Sequence, residues 1–305
     1  MPSLHARIVK WLLTWKEQPF LRTPEALHER IKLARATADF RPTDKVKAKC
    51  SIEERSSKGF PVFDVTPKSL VDQKPSATLL YLHGGCFLFD IAEPHWDLIT
   101  ELADRLHARV TVPIYPLGPE HQLPEMYEML QPLYDELAAA QTAQAPFWVA
   151  GDSAGGTLTL GLTQCALDAG KPVAARMVPI SPAVDVRMQN PQMHVVAATR
   201  DPWLAIPGLC EALNLFLEGV ERDDHRISPI TGRLAGLPPM LVMAATDDLL
   251  YPDELLFVEK AKAKGCDVKL VVGEGMMHVW PVLSVPESRT ARTEIVEYLQ
   301  QSRSI

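Results

Sequence analysis

The sequence predicts an α/β protein, with one mostly parallel central sheet flanked by helices and a small helical cap. Three observations lead there. From residue 76 onward, apolar strand-like runs alternate with segments of helical periodicity, the order that builds a parallel sheet covered on both faces. "SATLLYLHGG" is apolar nearly throughout its strand portion, as a strand buried on both faces must be. The chain has 305 residues, long for one core but within reach of an α/β domain carrying insertions.

The elements follow in order. "MPSLHARIVKWLLTWKEQPF" places Leu4, Ile8, Trp11, Leu12 and Trp15 at spacings of three and four, and no small-residue cleavage site follows. It therefore reads as an amphipathic helix rather than a signal peptide. "TPEALHERIKLARATA" continues the helical character, so residues 1–44 form an N-terminal helical segment. "VKAKCSIEE" and "FPVFDVTP" read as two strands joined by a Ser-Ser-Lys-Gly turn, an antiparallel hairpin at the sheet edge. Strand "SATLLYLHGG", helix "HWDLITELADRLHA", strand "RVTVPIYPL" and helix "EMYEMLQPLYDELAAA" come next, the last helical despite its proline. Strand "PFWVAG", helix "AGGTLTLGLTQCALDAG" and strand "ARMVPISPAV" continue the alternation. Strands "PPMLVMAATDD" and "CDVKLVVGEG" flank the helix "PDELLFVEKAKAKG", and "SRTARTEIVEYLQQS" closes the chain as a helix. Residues 186–226 break the pattern with a helix-rich stretch and read as a cap insertion, which leaves 45–185 and 227–305 as the core.

Composition narrows the function. A net charge of −7 with no basic cluster excludes nucleic acid as an expected partner. The five cysteines are scattered without a CxxC pair, so reduced thiols in a cytoplasmic protein are expected rather than a disulfide framework or a zinc site. No apolar run is long enough to cross a bilayer, so no stable membrane insertion is expected. Neither HExxH nor a glycine-rich phosphate loop is present, and no metal or nucleotide cofactor is implied.

Ligands of a parallel sheet bind beyond the carboxyl ends of its strands, and four unusual loops fall there. "GDSAGG" matches G-x-S-x-G at Gly151, Ser153 and Gly155 between a predicted strand and a predicted helix. That is the setting of a nucleophile elbow, where a strained turn pushes the serine hydroxyl outward; the bland alternative is a helix cap. "HGGC", His83 to Cys86, offers the N–H groups of Gly84 and Gly85, which with that of Ala154 would make an oxyanion hole; the alternative is a tight turn. "TDDLLYPDE" and "GMMHVW" supply an aspartate at 247 or 248 and a histidine at 278. A serine hydroxyl is a poor nucleophile until a base takes its proton, and an imidazole held by a carboxylate suits that task near neutrality. The order Ser153, Asp248, His278 is the one that this arrangement requires. His28, His107 and His225 lie in polar or helical surroundings and read as surface or core residues.

The pieces "YLHGGCFLFD", "YPLGPEHQLP", "GDSAGG", "ISPAVD", "DPWL", "LPPMLVMAATDDLLYPDE" and "GMMHVWP" run in order across residues 76–281. Together they resemble the bacterial hormone-sensitive-lipase family of α/β-hydrolases, which are carboxylesterases. The resemblance implies the α/β-hydrolase fold and an N-terminal segment that serves with the insertion as a cap. It places the nucleophile on Ser153, the base on His278 and the hole on Gly84, Gly85 and Ala154. The family's acid precedes the leucine of a D-x-L element by two positions, which lands on Asp248, with Asp247 and then Asp253 as alternatives. It also implies a small-molecule ester substrate with a short or medium acyl chain and a possible homodimer; the pocket depth that Cys86 and the cap control is expected to put the optimum at four to six carbons. An amidase or lactonase with the same triad remains an alternative, as does a non-catalytic ligand-binding protein on this fold, though receptors of that kind lack the histidine. Where the family has a third glycine, this chain has Cys86, read as a small packing residue that narrows the pocket. Apolar residues of the N-terminal segment (Trp11, Trp15, Phe20) and the insertion could roof the site, and Cys86, Phe87, Trp203, Leu204 and Phe216 are the expected substrate-binding residues.

Overall fold

A computed structural model describes residues 1–70 and 73–301. Ser302, the end of the last predicted helix, lies outside them. The chain runs through α1 (Leu4–Leu12), α2 (Pro24–Thr37), α3 (Asp44–Lys49), β1 (Cys50–Ser57), β2 (Phe60–Pro67), β3 (Thr78–Leu82), α4 (Glu93–Leu106), β4 (Arg109–Pro113), α5 (Leu123–Ala140), β5 (Phe147–Asp152), α6 (Ala154–Asp168) and β6 (Arg176–Ile180). It continues through α7 (Pro191–Thr199), α8 (Ile206–Phe216), β7 (Met240–Asp247), α9 (Tyr251–Ala263), β8 (Val268–Met277) and α10 (Pro286–Gln300). A widened turn, Leu13–Glu17, and a tight turn, Gln18–Leu21, join α1 toward α2. The eight strands form one sheet in the order β1-β2-β4-β3-β5-β6-β7-β8. The β1–β2 hairpin is antiparallel, β2 meets β4 antiparallel, and β3 to β8 are parallel. This is the α/β-hydrolase fold.

Strand patterning explains why the middle of the sheet reads as unbroken apolar sequence. Leu80, Leu82 and Val149 face one cluster, with α5, α6 and α9 packed on it. Their neighbours Leu79, Tyr81, Trp148 and Ala150 face the other, beneath α4 and α10. Alternate side chains of a strand point to opposite faces, so burial on both sides requires apolar residues at both parities.

The first hairpin strand begins later than its sequence suggests. Val46–Lys49, read as strand from its alternation, lies in α3. The Thr43 hydroxyl accepts from the Val46 N–H, and Asp44 occupies the first turn, so capping and helix dipole outweigh the local β preference.

The insertion occupies the connection from β6 to β7. Its helices α7 and α8 share an apolar cluster with the N-terminal segment, in which Leu21, Leu27 and Ile31 meet Met193, Leu204 and Leu209. The contact between α8 and the N-terminal turn is a backbone approach: a Cβ on Gly208 would stand 2.5 Å from the Leu21 carbonyl oxygen. Leu249 and Leu250, at the end of β7, belong to the same cluster.

The ends of β3 and β5 also approach through backbone. A Cβ on Gly155 would lie 1.9 Å from the Leu82 carbonyl oxygen and 2.7 Å from that of His83. Both neighbours are main chain and cannot swing aside. Gly155→Ala is therefore expected to lose about 3 kcal/mol of stability. Urea unfolding checks this, and a loss under about 1 kcal/mol would show that the two strand ends can separate.

Candidate active site

Ser153 sits between β5 and α6 with φ of 52° and ψ of −118°. A side chain with a Cβ rarely adopts that backbone, and its strain is held by the packing on either side. The Ser153 N–H donates to the Ile180 carbonyl at 2.8 Å, and Thr157 N–H returns a bond to the Ser153 carbonyl at 3.0 Å. The hydroxyl is thereby presented at the top of the sheet, 2.9 Å from His278 Nε2. His278 Nδ1 lies 2.6 Å from Asp248 Oδ2. Three segments distant in sequence thus meet as serine, imidazole and carboxylate.

The structure separates the two adjacent aspartates. Asp248 is fully buried, and its Oδ1 accepts from the Leu250 N–H at 3.0 Å. Asp247 instead pairs with Lys10 of α1, outside the hydrogen-bonded chain. Asp253 is bonded to Asn190 and does not join it either. His278 is buried, and burial alone would lower its pKa. The charge and hydrogen bond of Asp248, with Asp201 and Asp152 farther off, outweigh that and leave it raised above the ordinary 6.5.

The "HGGC" loop lies directly over the serine. A Cβ on Gly84 would be 3.1 Å from the Ser153 Cβ and 2.3 Å from Asp152 Oδ2. Gly85 has φ of +125°, open to glycine and crowded by the Phe89 carbonyl. Ala154 opens α6, and the first amide of a helix has no intrahelical acceptor. The N–H groups of Gly84, Gly85 and Ala154 therefore lie in the two segments that flank the hydroxyl. Cys86 and Phe87 follow with φ of 55° and 61°. Burial pushes the Cys86 thiol up to about 11, so it stays protonated and packs as a small neutral residue.

Two cavities adjoin Ser153. The larger, about 510 Å³, is lined by Gly84, Gly85, Cys86, Trp203, Leu204 and His278, with Leu13, Phe20 and Leu21 of the N-terminal segment closing it. The Trp203 ring stands edge-on to the His278 ring at 5.9 Å. The smaller, about 40 Å³, lies on the Ala154 side and is apolar, lined by Phe87, Val186, Leu209, Leu213 and Phe216. The expected binding residues are thus split: Trp203 borders the larger space, Phe87 and Phe216 the smaller, and Cys86 and Leu204 both. Trp11 and Trp15 roof neither, being 62% and 66% exposed.

Sequence reasoning missed the groups that hold this site in place. Asp201, in the insertion, accepts from Trp203 N–H and Leu204 N–H through Oδ1 (2.8 Å each) and from Leu249 N–H through Oδ2 (2.7 Å). One carboxylate therefore ties the cap to the residue after Asp248. The Asp-Pro-Trp-Leu sequence held a signal, because an aspartate that bonds the amides two and three residues on is a turn former. Burial and the nearby charge of Asp248 raise the Asp201 pKa, against the three donors. Beneath the glycines, the Asp152 carboxylate accepts from the Tyr81 hydroxyl at 2.6 Å and from His95 Nε2 at 3.2 Å. His83 is stacked on Tyr115 at 4.4 Å, and the Tyr115 hydroxyl donates to the His83 carbonyl at 2.6 Å. Burial pushes His83 down to about 4, so it is neutral and supports the loop without charge. Among the described residues no cluster could hold a metal ion, and no helix is long and apolar enough to cross a membrane.

A strained strand-to-helix turn that carries a serine, on a sheet of this order, is the arrangement of an α/β-hydrolase. Residues 79–282 match the α/β-hydrolase fold family, and the chain belongs to that family, in its hormone-sensitive-lipase-like branch. It is 32% identical over 218 residues to an acetyl-hydrolase of Streptomyces hygroscopicus, covering 70% of this chain and 72% of that protein. The crystal structure of EstE5 soaked with p-nitrophenyl butyrate is similar, with a TM-score of 0.84 at 25% identity over 99% of this chain and 100% of that one. A hormone-sensitive lipase from a metagenome library superposes with a TM-score of 0.76 at 26% identity, covering 92% of this chain and 98% of that one.

The electrostatics of His278 can be tested without turnover. Its NMR titration midpoint is expected above 6.5, and in Asp248→Asn below it, because burial then acts unopposed. Asp247→Asn is expected to leave the midpoint where it was. Equal effects of the two substitutions would mean that the carboxylates exchange roles in solution.

Proposed function

We propose that this protein is a serine carboxylesterase that cleaves short-chain esters through an acyl-enzyme on Ser153. The observation that carries the reading is the chain of two hydrogen bonds, Ser153 to His278 to Asp248, on an elbow of positive φ. Esterase and acetyl-hydrolase relatives support ester hydrolysis as the reaction.

In this reading His278 Nε2 accepts the Ser153 proton as Oγ attacks the ester carbonyl. The carbonyl oxygen takes up negative charge and is received by the N–H groups of Gly84, Gly85 and Ala154. One preorganised donor of this kind is worth about 3 kcal/mol in the transition state. Asp248 stabilises the imidazolium, which then protonates the departing alcohol. A water molecule, deprotonated by His278, attacks the acyl carbon and Ser153 leaves as the hydroxyl.

In this reading the two halves of the ester occupy different cavities. His278 must reach the leaving oxygen, and it lines only the larger cavity, so the alcohol belongs there. The acyl chain then enters the small apolar space bounded by Phe87 and Phe216, which holds only a few carbon atoms. Polar groups such as Asp90 and His95 border the alcohol side alone, where a departing alcohol meets water.

Ser153→Ala is expected to lower kcat on p-nitrophenyl butyrate by at least about 10⁴-fold. Turnover within a few fold of wild type would remove Ser153 from the reaction. Along a series of acyl chains, kcat/KM is expected to be greatest at four to six carbons. Phe216→Ala is expected to move the optimum to longer chains by opening the small cavity. An optimum on long-chain acyl groups in the wild type would reverse the assignment of the cavities.

A further inference from the structure

Helix α1 carries apolar residues on two faces, and the one its sequence predicts to be buried is the one that points outward. Ala6, Val9 and Leu13, spaced three and four apart, pack on the core. Leu4, Ile8, Trp11 and Trp15 form a second stripe at the same spacing and are 70%, 48%, 62% and 66% exposed. The two tryptophan rings stack on each other at 6.0 Å with an interplanar angle of 10°, a flat apolar plate in contact with solvent. An amphipathic stripe ordinarily faces the core, and an exposed one of this size marks a contact.

We propose that this stripe is a docking site for an anionic phospholipid surface. Charge selects the occupant. Residues 1–16 contain Arg7, Lys10 and Lys16 and no aspartate or glutamate, within a chain of net charge −7. Beside Trp11 runs a groove of about 830 Å³ whose charged and titratable lining residues are Arg22, His194, Arg200, Lys10, which is paired with Asp247, and the buried Asp201. Among the described residues, none of Arg7, Lys16, Arg22 and Arg200 is in an ion pair with a carboxylate. A helix with tryptophan and aliphatic residues on one face and basic residues at its flanks is built to lie in a membrane interface. A second copy fits less well, since a two-fold contact through this stripe would set the same basic residues against each other.

The location gives the docking a use. Leu13 and Glu17, in the turn that continues α1, line the larger cavity beside Ser153. A surface bound to the stripe would lie next to the wall of that cavity, so an ester dissolved in the lipid would have a short path to it. That use rests on the esterase reading, whereas the docking does not.

The test is sedimentation of the full chain with vesicles of phosphatidylcholine alone or mixed equally with phosphatidylglycerol. Partitioning is expected onto the mixed vesicles only, weakening as salt rises, with a blue shift of tryptophan fluorescence. Trp11→Ser with Trp15→Ser, and separately Arg7→Glu with Lys16→Glu, are each expected to weaken partitioning at least about tenfold. Both variants should hydrolyse a water-soluble acetate ester at the wild-type rate and unfold at the wild-type temperature. Ser153→Ala should still bind vesicles, which separates failure of docking from failure of the esterase reading. Absence of binding to the mixed vesicles, or equal binding to phosphatidylcholine alone, would overturn the proposal. So would a dimer, seen by sedimentation without lipid, that the tryptophan variant converts to monomer while leaving vesicle binding intact.

Discussion

The site depends on two strand ends meeting with no side chain between them. β3 and β5 are hydrogen-bonded neighbours, and the loops that leave them run against each other at Gly84 and Gly155. A single methyl at either glycine would fall within van der Waals range of main chain or of the Asp152 carboxylate. This contact sets the distance between the amides of one loop and the hydroxyl of the other. Two buried groups lie below, Tyr81 and His95 bonded to Asp152, and Tyr115 bonded to and stacked on His83, and they support the two loops. The hydrogen bonds of this layer favour one geometry, although the buried His83 Nε2 has no partner among the described residues.

Much of this was legible in the residues, because the chemistry is local there. G-x-S-x-G, the His-Gly-Gly run and the histidine after β8 announce themselves through small residues at strand ends, where only a turn or a ligand needs them. The α/β alternation was equally plain, since strands buried on both faces cannot hide their apolar content. What escaped were pairings across long sequence separations. Asp247 and Asp248 are the same residue type one position apart; the D-x-L spacing favoured Asp248, but the pairing of Asp247 with Lys10, more than two hundred positions earlier, was not readable. The role of Asp201 depends on an amide in another segment altogether. The edge strand was misjudged for a local reason, because a threonine cap at position 43 outweighed the alternation that follows it. The exposed tryptophans of the N-terminal segment were misread as a roof because periodicity shows that a stripe exists without saying which way it faces.

Negative charge is concentrated behind His278 to an unusual degree. Asp201, Asp248 and Glu254 are all buried there. Glu254 is wholly enclosed, neither carboxyl oxygen has a partner among the described residues, and its pKa is raised well above the usual range by burial and by Asp248. The arrangement follows from the cost of like charges in a dry interior, where one of several neighbouring carboxyls gives up its ionisation.

The carboxylate of Asp201 also constrains how molecules come and go. Because the same side chain grips Trp203, Leu204 and the backbone beside Asp248, the insertion cannot swing up like a hinged door without dragging the acid away from the imidazole. The opposite wall, bordered by Leu13, Glu17 and Phe20, is joined to the same clamp, because Gln18 Nε2 donates to the Asp201 carbonyl at 2.9 Å. Both walls of the larger cavity therefore converge on Asp201, and neither can open without disturbing the support of Asp248.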